Sequence, residues 1–514
     1  MKKKSRRKKQ GMSAFIGPII LIILAASVAV IINVFGRSFL TQMKSFFDVV
    51  FYIYIVSACL VIFFEERNPN RMIAWLLVLI LFPGLGLVAY LAFGRSFRKK
   101  KRVKDKKMDK VAEPLQRIED RHKDYTYDHL PTICQSLINL LKTNSDSKLM
   151  VYNEVQVLAD GLITFSLMLE AIEKAESIIN MQFFIVKDDD LGNRFRKLLI
   201  KKAEEGVEVN FLYDAVGSWR LSSHYKESMM EAGVNVKEFL PVIAPFITRN
   251  MNYRNHRKIL TIDGEVGFVG GLNIGDEYIG KKEQFGYWRD THLMIKGEGV
   301  CGLNYIFAED WSFAGGSIRD THAFFPPVTE EKHSLMQIAS SGPDSDKQVI
   351  KQAYFKMIAM AKESVYIESP YLVPEDSLLV ALKTAALSGV DVKIIIPYIA
   401  DHFMVYWANQ SNIEDLLASN IKIYYYKGGF IHSKSLLVDG VCASVGTANL
   451  DIRSMELNFE VNAFIYDPDV IKDLRNDFEE DLLRSERIVY EEFKKRKSYR
   501  KVLESFGRLV SPLQ

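Results

Sequence analysis

Cysteine is almost absent from this chain: four residues in 514, Cys59, Cys134, Cys301 and Cys442, with no two at a short spacing. That excludes a disulfide framework and the paired spacings that hold zinc. Charge of one sign is missing as well; the formal net charge is only +4, so whatever basic character exists is local. Histidine is scarce, nine residues in all, which makes any repeated histidine pattern informative.

Such a pattern is present twice, as His256-x-Lys258-x4-Asp263 and His432-x-Lys434-x4-Asp439. From this composition roughly 0.14 matches to a histidine, a basic and an acidic residue at those spacings are expected by chance. Each copy leads into an apolar stretch and then a glycine-containing turn with an asparagine, Val269-Gly270-Gly271-Leu272-Asn273 and Val445-Gly446-Thr447-Ala448-Asn449. In an extended strand residues i and i+2 share a face. One strand from each repeat therefore brings two histidines, two lysines and two asparagines toward a common pocket, a donor set suited to a phosphate diester. Two strands with buried core histidines are the bland alternative.

The length suggests two or three domains. Three apolar runs crowd the N-terminus: residues 13–36, 46–64 and 72–93, the last interrupted by Phe82-Pro83-Gly84, which predicts a kink. The first is too long for a signal peptide and no small-x-small cleavage site follows it, so it reads as an anchor. Seven basic residues lie between 2 and 9, and ten between 95 and 110, against Asp105 and Asp109. Beside spanning helices such runs favour the cytoplasmic side and anionic lipid. Three spans would put the two runs on opposite sides, and the sequence leaves the topology of the first run open. The expected organisation is a transmembrane anchor region at 1–94, a basic linker at 95–145, and two α/β halves at 146–320 and 330–514.

Helical and strand-like patterns alternate in both halves. A helix over 165–175, a strand over 177–186, a helix over 195–204, Gly206 and a strand over 207–213 are matched by 353–361, 365–368, 378–387, Gly389 and 390–396. The offset between copies drifts from 187 at Ser177 and Ser364 to 176 at His256 and His432, as changes in loop length produce in a duplicated domain.

Attack on a phosphodiester needs a nucleophile, an acid for the leaving alkoxide and cations around the non-bridging oxygens. His256, Lys258, Asp263, His432, Lys434 and Asp439 form the candidate catalytic set, with Asn273 and Asn449 as candidate phosphate ligands. Asp263 and Asp439, seven residues past their histidines, are expected on the opposite strand face in a supporting part. Each imidazole needs a partner on its second nitrogen; position after the asparagine turns nominates Asp290 and Glu460. No cluster of carboxylates suited to magnesium or calcium accompanies the motifs, so no metal and no cofactor is expected.

The duplicated motif resembles the signature of the phospholipase D superfamily, and more narrowly that of the bacterial cardiolipin synthases. The likeness extends through Asn255-His256-Arg257-Lys258, Gly270 to Tyr278, Trp288-Arg289-Asp290, Glu309-Asp310-Trp311 and Gly446 to Ser454. The resemblance implies N-terminal transmembrane helices followed by two pseudo-symmetric α/β/α halves. It also implies His256 as nucleophile, His432 as general acid, and loops at Glu368-Ser369-Pro370-Tyr371 and Asp401-His402 bordering a lipid pocket. The implied reaction joins two phosphatidylglycerol molecules into cardiolipin and glycerol through a phosphohistidine. The expected partners are phosphatidylglycerol and anionic membrane lipid rather than nucleic acid, on a multi-pass protein of the cell membrane whose catalytic part is cytoplasmic. A hydrolytic phospholipase D or nuclease, and a catalytically silent membrane scaffold, are the alternatives.

Overall fold

In a computed structural model the described residues are scattered positions from 44 to 63, then 69–90, 94, 106–145, 147–242, 252–318, 332–399, 401 and 403–510. The apolar run at 13–36, the basic run at 2–9, the part of the second basic run before residue 106, and His402 lie outside them. So do residues 319–331, which include the expected boundary between the halves at 320–330. The chain divides into two compact units, Met1–Val88 and Ala89–Gln514.

In the first unit α1 (Pro69–Leu81) stops at Phe82 and α2 (Pro83–Ala89) begins at the proline. This is the interruption expected where a proline ring removes a backbone donor. No helix among the described residues is long and apolar enough to cross a membrane.

The second unit opens with α3 (Lys106–Arg121) and α4 (Thr132–Asn144). The 95–145 stretch is therefore not simply a basic linker. Ile133, Cys134, Leu137, Ile138 and Leu141 recur at helical spacing and are buried in the same core as β-strand and helix residues of the C-terminal half. Burying each such aliphatic side chain contributes about 1.5–3 kcal/mol, more than surface charge can oppose.

The first half then runs β1 (Met150–Asp160), α5 (Gly161–Glu173), β2 (Ile178–Phe183), α6 (Asp190–Glu204), β3 (Glu208–Asp214), α7 (Ser223–Glu231), β4 (Asn235–Phe239), β5 (Ile259–Ile262), β6 (Val266–Gly270), β7 (Trp288–Gly297) and α8 (Glu298–Phe313). The second repeats it: β8 (His333–Ser341), α9 (Val349–Met360), β9 (Ser364–Glu368), α10 (Asp376–Leu387), β10 (Asp391–Pro397), α11 (Phe403–Ala418), β11 (Lys422–Tyr426), β12 (Ser435–Val438), β13 (Cys442–Gly446), β14 (Glu460–Ile465) and α12 (Pro468–Leu483), followed by an edge strand β15 (Ser485–Arg487). Helix α5 begins four residues ahead of the expected start because Asp160 caps it, accepting from the Ile163 amide.

The strands form one sheet in the order β15-β11-β10-β9-β12-β13-β14-β8-β1-β7-β6-β5-β2-β3-β4. Its centre is the antiparallel pair β1–β8, with Met150 opposite Met336. Each half thus has the same strand order read outward from that seam. Central strands carry apolar residues on both faces, as expected beneath two helical layers. Phe165, Phe195, Phe211 and Phe268 fill one face of the first half, and Val300 and Leu303 of α8 and Leu474 of α12 share a second core with Leu293 and Val461 of the strands.

Candidate active site

The two histidines do not sit within strands; each lies in the extended lead-in to one, β5 or β12. The lead-ins are held by the opposite half. Asn255 bridges Phe459, and the His256 amide donates to Phe459 O at 2.9 Å. Phe430 and Ile431 pair with Trp288 and Arg289, and the His432 amide donates to Arg289 O at 2.7 Å. This backbone lacing sets the side chains that follow. The residue after Phe459 is Glu460, whose carboxylate meets His256 Nδ1 at 3.0 and 3.1 Å. The residue after Arg289 is Asp290, which meets His432 Nδ1 at 2.7 Å.

Each imidazole is therefore oriented by a carboxylate from the other half. A carboxylate can only accept, so Nδ1 carries the hydrogen in both rings and Nε2 presents its lone pair. Lys434 Nζ also lies 2.8 Å from His432 Nδ1, but with that hydrogen aimed at Asp290 its bond is to the His432 carbonyl. Lys258 Nζ makes the corresponding bond to His256 O, at 2.7 Å, over the face of Phe184. Thr447 Oγ1 adds a 2.5 Å donation to Glu460. The matching position in the first half is Gly271, where a Cβ would stand 2.0 Å from Asp290 Oδ1; glycine is needed for the carboxylate to fit.

All six ionisable groups are at most 8 % exposed. Burial brings His256 down to about 4, with Lys258 and Lys434 adding to it and Glu460 opposing. His432 is also held at about 4 by burial and Lys434, against Asp290. Both rings are thus neutral near pH 7. Burial lowers Lys434 to about 8 and Lys258 well below its ordinary value. Burial works against charge on Asp290 and Glu460 too, but Lys434 with His432, and His256 with Lys258, outweigh it and keep the carboxyls below their usual range. Lys434 acts on His256 and Lys258 on His432, so the two motifs share one electrostatic cluster.

The candidate residues do not all arrive there. Asp263 and Asp439 are not at the histidines and take no direct part among them. Each sits with φ of 53° in an Asp-Gly turn beyond β5 or β12. The Asp263 carboxylate accepts from the amides of Glu176, Ser177 and Ile178 at 2.7–2.8 Å, and Asp439 from Lys362, Glu363 and Ser364 at 2.8 Å. They tie the motif strands to the entry of β2 and β9 through these backbone amides. The asparagines differ from one another. Asn273 Oδ1 accepts from the Ile185 amide at 3.0 Å and its Nδ2 donates to Tyr278 at 3.3 Å, whereas buried Asn449 Oδ1 has no hydrogen-bond partner.

The Glu368 to Tyr371 stretch is no free turn. Ser369 Oγ accepts from the Leu450 amide at 3.0 Å, and Tyr371 donates to Asp401 at 2.5 Å. Sequence reasoning missed Thr447, Asp214, which accepts from the Asn255 amide at 2.9 Å, and buried His292, whose Nδ1 accepts from the Leu272 amide. Thr447 stood within a quoted motif; the other two carried no motif. Among the described residues no three His, Cys, Asp or Glu side chains gather as a metal site would require.

The cardiolipin synthase, PLD-like domain model matches residues 168–293 and 354–482, and the phospholipase D-nuclease N-terminal model matches 52–95. A cardiolipin synthase of Alkalihalophilus pseudofirmus is 44% identical over 484 residues, 93% of this chain and 96% of that one. One from Geobacillus kaustophilus is 43% identical over 498 residues, 96% and 98% of the two chains. The fold is also similar to the crystal structure of phosphatidylserine synthase from Haemophilus influenzae, with a TM-score of 0.56 at 15% identity, covering 74% of this chain and 99% of that one. With such identity over nearly its whole length, and with both halves matched, the chain belongs to the bacterial cardiolipin synthases, enzymes of the phospholipase D superfamily.

Proposed function

We propose that the chain is a membrane-bound phosphatidyltransferase that converts two phosphatidylglycerol molecules to cardiolipin and glycerol through a phosphohistidine. The observation that carries this reading is the crossed pairing, His256 with Glu460 and His432 with Asp290. Both rings are fixed through Nδ1, which frees Nε2 of one for phosphorus and Nε2 of the other for a proton.

In the first step His256 Nε2 attacks phosphorus, the bond to the glycerol oxygen breaks, and protonated His432 gives its proton to that oxygen. In the second, the free glycerol hydroxyl of another phosphatidylglycerol passes its proton to His432 and attacks, and the phosphorus–nitrogen bond breaks. The cluster sets two lysines against two carboxylates around neutral rings. An arriving diester anion favours protonated Lys258, Lys434 and one histidine, so substrate itself promotes the acid form. Asn449 Oδ1 has no donor and its amide nitrogen is available to a phosphoryl oxygen; Asn273 serves more in holding the strand end. The cationic and amide donors replace a metal at phosphate. Water in place of the second lipid gives phosphatidic acid, so the site must be water-poor.

Residues 1–94 serve as the multi-pass anchor, the basic residues from 95 to 110 lie on anionic headgroups, and the halves at 146–320 and 330–514 face the cytoplasm. The purified full-length protein in phosphatidylglycerol micelles, with excess chelator and products resolved by mass, tests the chemistry. Cardiolipin and glycerol in equal amounts are expected; phosphatidic acid alone would establish hydrolysis instead. Labelled phosphatidyl-enzyme should survive an alkaline quench and be lost in acid. A cysteine at Ser317 should resist impermeant thiol reagent in intact cells and react after permeabilisation.

A further inference from the structure

The two histidine motifs rest on different polar floors. In the first half Gln182, opposite Ile259 on the neighbouring strand, donates to Asp310 at 2.5 Å and to Asn255 at 3.0 Å. Arg257 of the motif pairs with Asp310 at 2.6 Å. That floor holds one anion, one cation and neutral amides.

The same place in the second half, opposite Ser435, is Glu368. Its Oε2 accepts from Ser433 at 2.6 Å and Ser435 at 2.9 Å, the residues on either side of Lys434. Asp481 of α12 stands where α8 supplies Asp310, and it faces Glu368. Both carboxyls are buried, at 3 % and 2 % exposure. Arg289 lies between them, with Nε 2.6 Å from Asp481 Oδ2 and Nη2 3.9 Å from Asp477. Tyr287 before β7, Tyr426 of β11 and Arg484 after α12 complete the surroundings.

One oxygen in this floor, Glu368 Oε1, is buried without a hydrogen-bonding donor, and Asp481 Oδ2 has only the Arg289 guanidinium against it. Two ionised carboxylates cannot stay in buried contact on one guanidinium; a proton between them removes the repulsion and satisfies an otherwise orphaned acceptor. We propose that Glu368 and Asp481 are an acid pair holding one proton between them, and that the pair positions the His432–Lys434 motif through Ser433 and Ser435. Burial and the neighbouring Glu368 raise Asp481 to about 8, against the pull of Arg289. The first motif, standing over Gln182, has no such proton. Glu368 and Asp481 are positioning residues: they reach the reacting atoms through the serines and the lead-in backbone.

The sign of the linkage follows. Asp481 keeps its proton in the fold and releases it on unfolding, so stability declines as pH rises from about 4 to about 8 and is level above. Glu368→Gln makes the floor of the second motif like that of the first. Its amide oxygen still accepts from both serines while its NH2 donates to Asp481, whose carboxyl returns toward its ordinary range.

The test uses the full-length protein in detergent. E368Q should melt higher than the parent at pH 8, by a margin that shrinks toward pH 4, and a protonated-carboxyl infrared band present in the parent at pH 7 should vanish in E368Q and in D481N. On the transferase reading, E368Q should keep turnover within about threefold at neutral pH and E368A should lose about tenfold or more, because only the alanine removes the acceptor that Ser433 and Ser435 share. The double variant E368Q/D481N should be worse than either single change, since Arg289 then keeps only Asp477. Parallel melting profiles for E368Q and parent, or a carboxyl band that persists in E368Q, would overturn the shared proton. E368Q as inactive as E368A would overturn the positioning role. The melting and infrared arms need no turnover, so a parent that made no cardiolipin would sink the transferase reading alone and leave these arms to decide the pair.

Discussion

The two halves repeat one frame but not one environment. Strand order, the Asp-Gly turns, the lysine bonded to the carbonyl of its own histidine and the carboxylate on Nδ1 recur in both. Around that frame, Thr447 replaces Gly271 beside the orienting carboxylate, Ser433 replaces Arg257 within the motif, and Glu368 replaces Gln182 beneath it. What is shared fixes geometry; what differs sets proton and charge. On the proposed mechanism one imidazole must be neutral while the other is protonated, and the unshared residues are where the surroundings of the two differ.

The comparison breaks most sharply at the histidines. H256A and H432A should each leave under about a hundredth of the turnover of cardiolipin formation, the share expected when an essential nucleophile, acid or base is lost. A phosphatidyl ester with a leaving group that needs no proton should separate them. H432A should recover the first step, seen as released leaving group, and H256A should not. Equal recovery would mean the roles are interchangeable.

Next in size are the orienting carboxylates. D290N and E460Q should each cost about a hundredfold in kcat with a smaller change in KM, by permitting the wrong tautomer. Because the pairing is crossed, D290N should be rescued by the activated leaving group as H432A is, whereas E460Q should follow H256A. The reverse assignment would contradict the lacing of each lead-in onto the opposite half.

Smaller effects belong to the shared scaffold. D263N and D439N each keep a residue type that tolerates positive φ but weaken bonds to three backbone amides, so each should lower stability by about 1–3 kcal/mol and leave kcat within a few-fold. A loss of kcat beyond a hundredfold at full folding would restore these aspartates to the chemistry. Smallest is the acid limb of stability. His256 and His432, held at about 4, take up protons on unfolding. The stability this gives is present above about pH 6.5 and is lost as pH falls through about 4. Melting profiles of H256A and H432A should each be shallower there than that of the parent.

Much of this was legible in the chain. The motif repeat, the drifting offset and the helix–strand alternation describe the two halves, and position alone nominated Asp290 and Glu460. Which carboxylate serves which histidine was not legible, because it depends on Asn255 bridging Phe459 and Ile431 pairing with Arg289, contacts between residues far apart in sequence. Asp481 carries no motif; it enters only because a helix turn brings it to Glu368. The docking of α4 was masked by the basic run before it, although its Leu137, Ile138 and Leu141 spacing follows an ordinary buried helix face. The aspartates of the motif show the converse: their spacing was plain, and their distance from the chemistry came from a turn that aims them at backbone amides.

The β1–β8 seam has one more consequence. Equivalent strands of the two halves meet there antiparallel, the contact that two copies of a single half would make about a twofold axis. In such a homodimer each subunit would lend its carboxylate to the histidine of the other, and every substitution would appear in both sites at once. Fusion into one polypeptide removes that constraint: a gene duplication whose products remain covalently joined can mutate one copy alone. The glutamate beneath one motif and the glutamine beneath the other are divergence that an obligate pair of identical subunits could not have recorded.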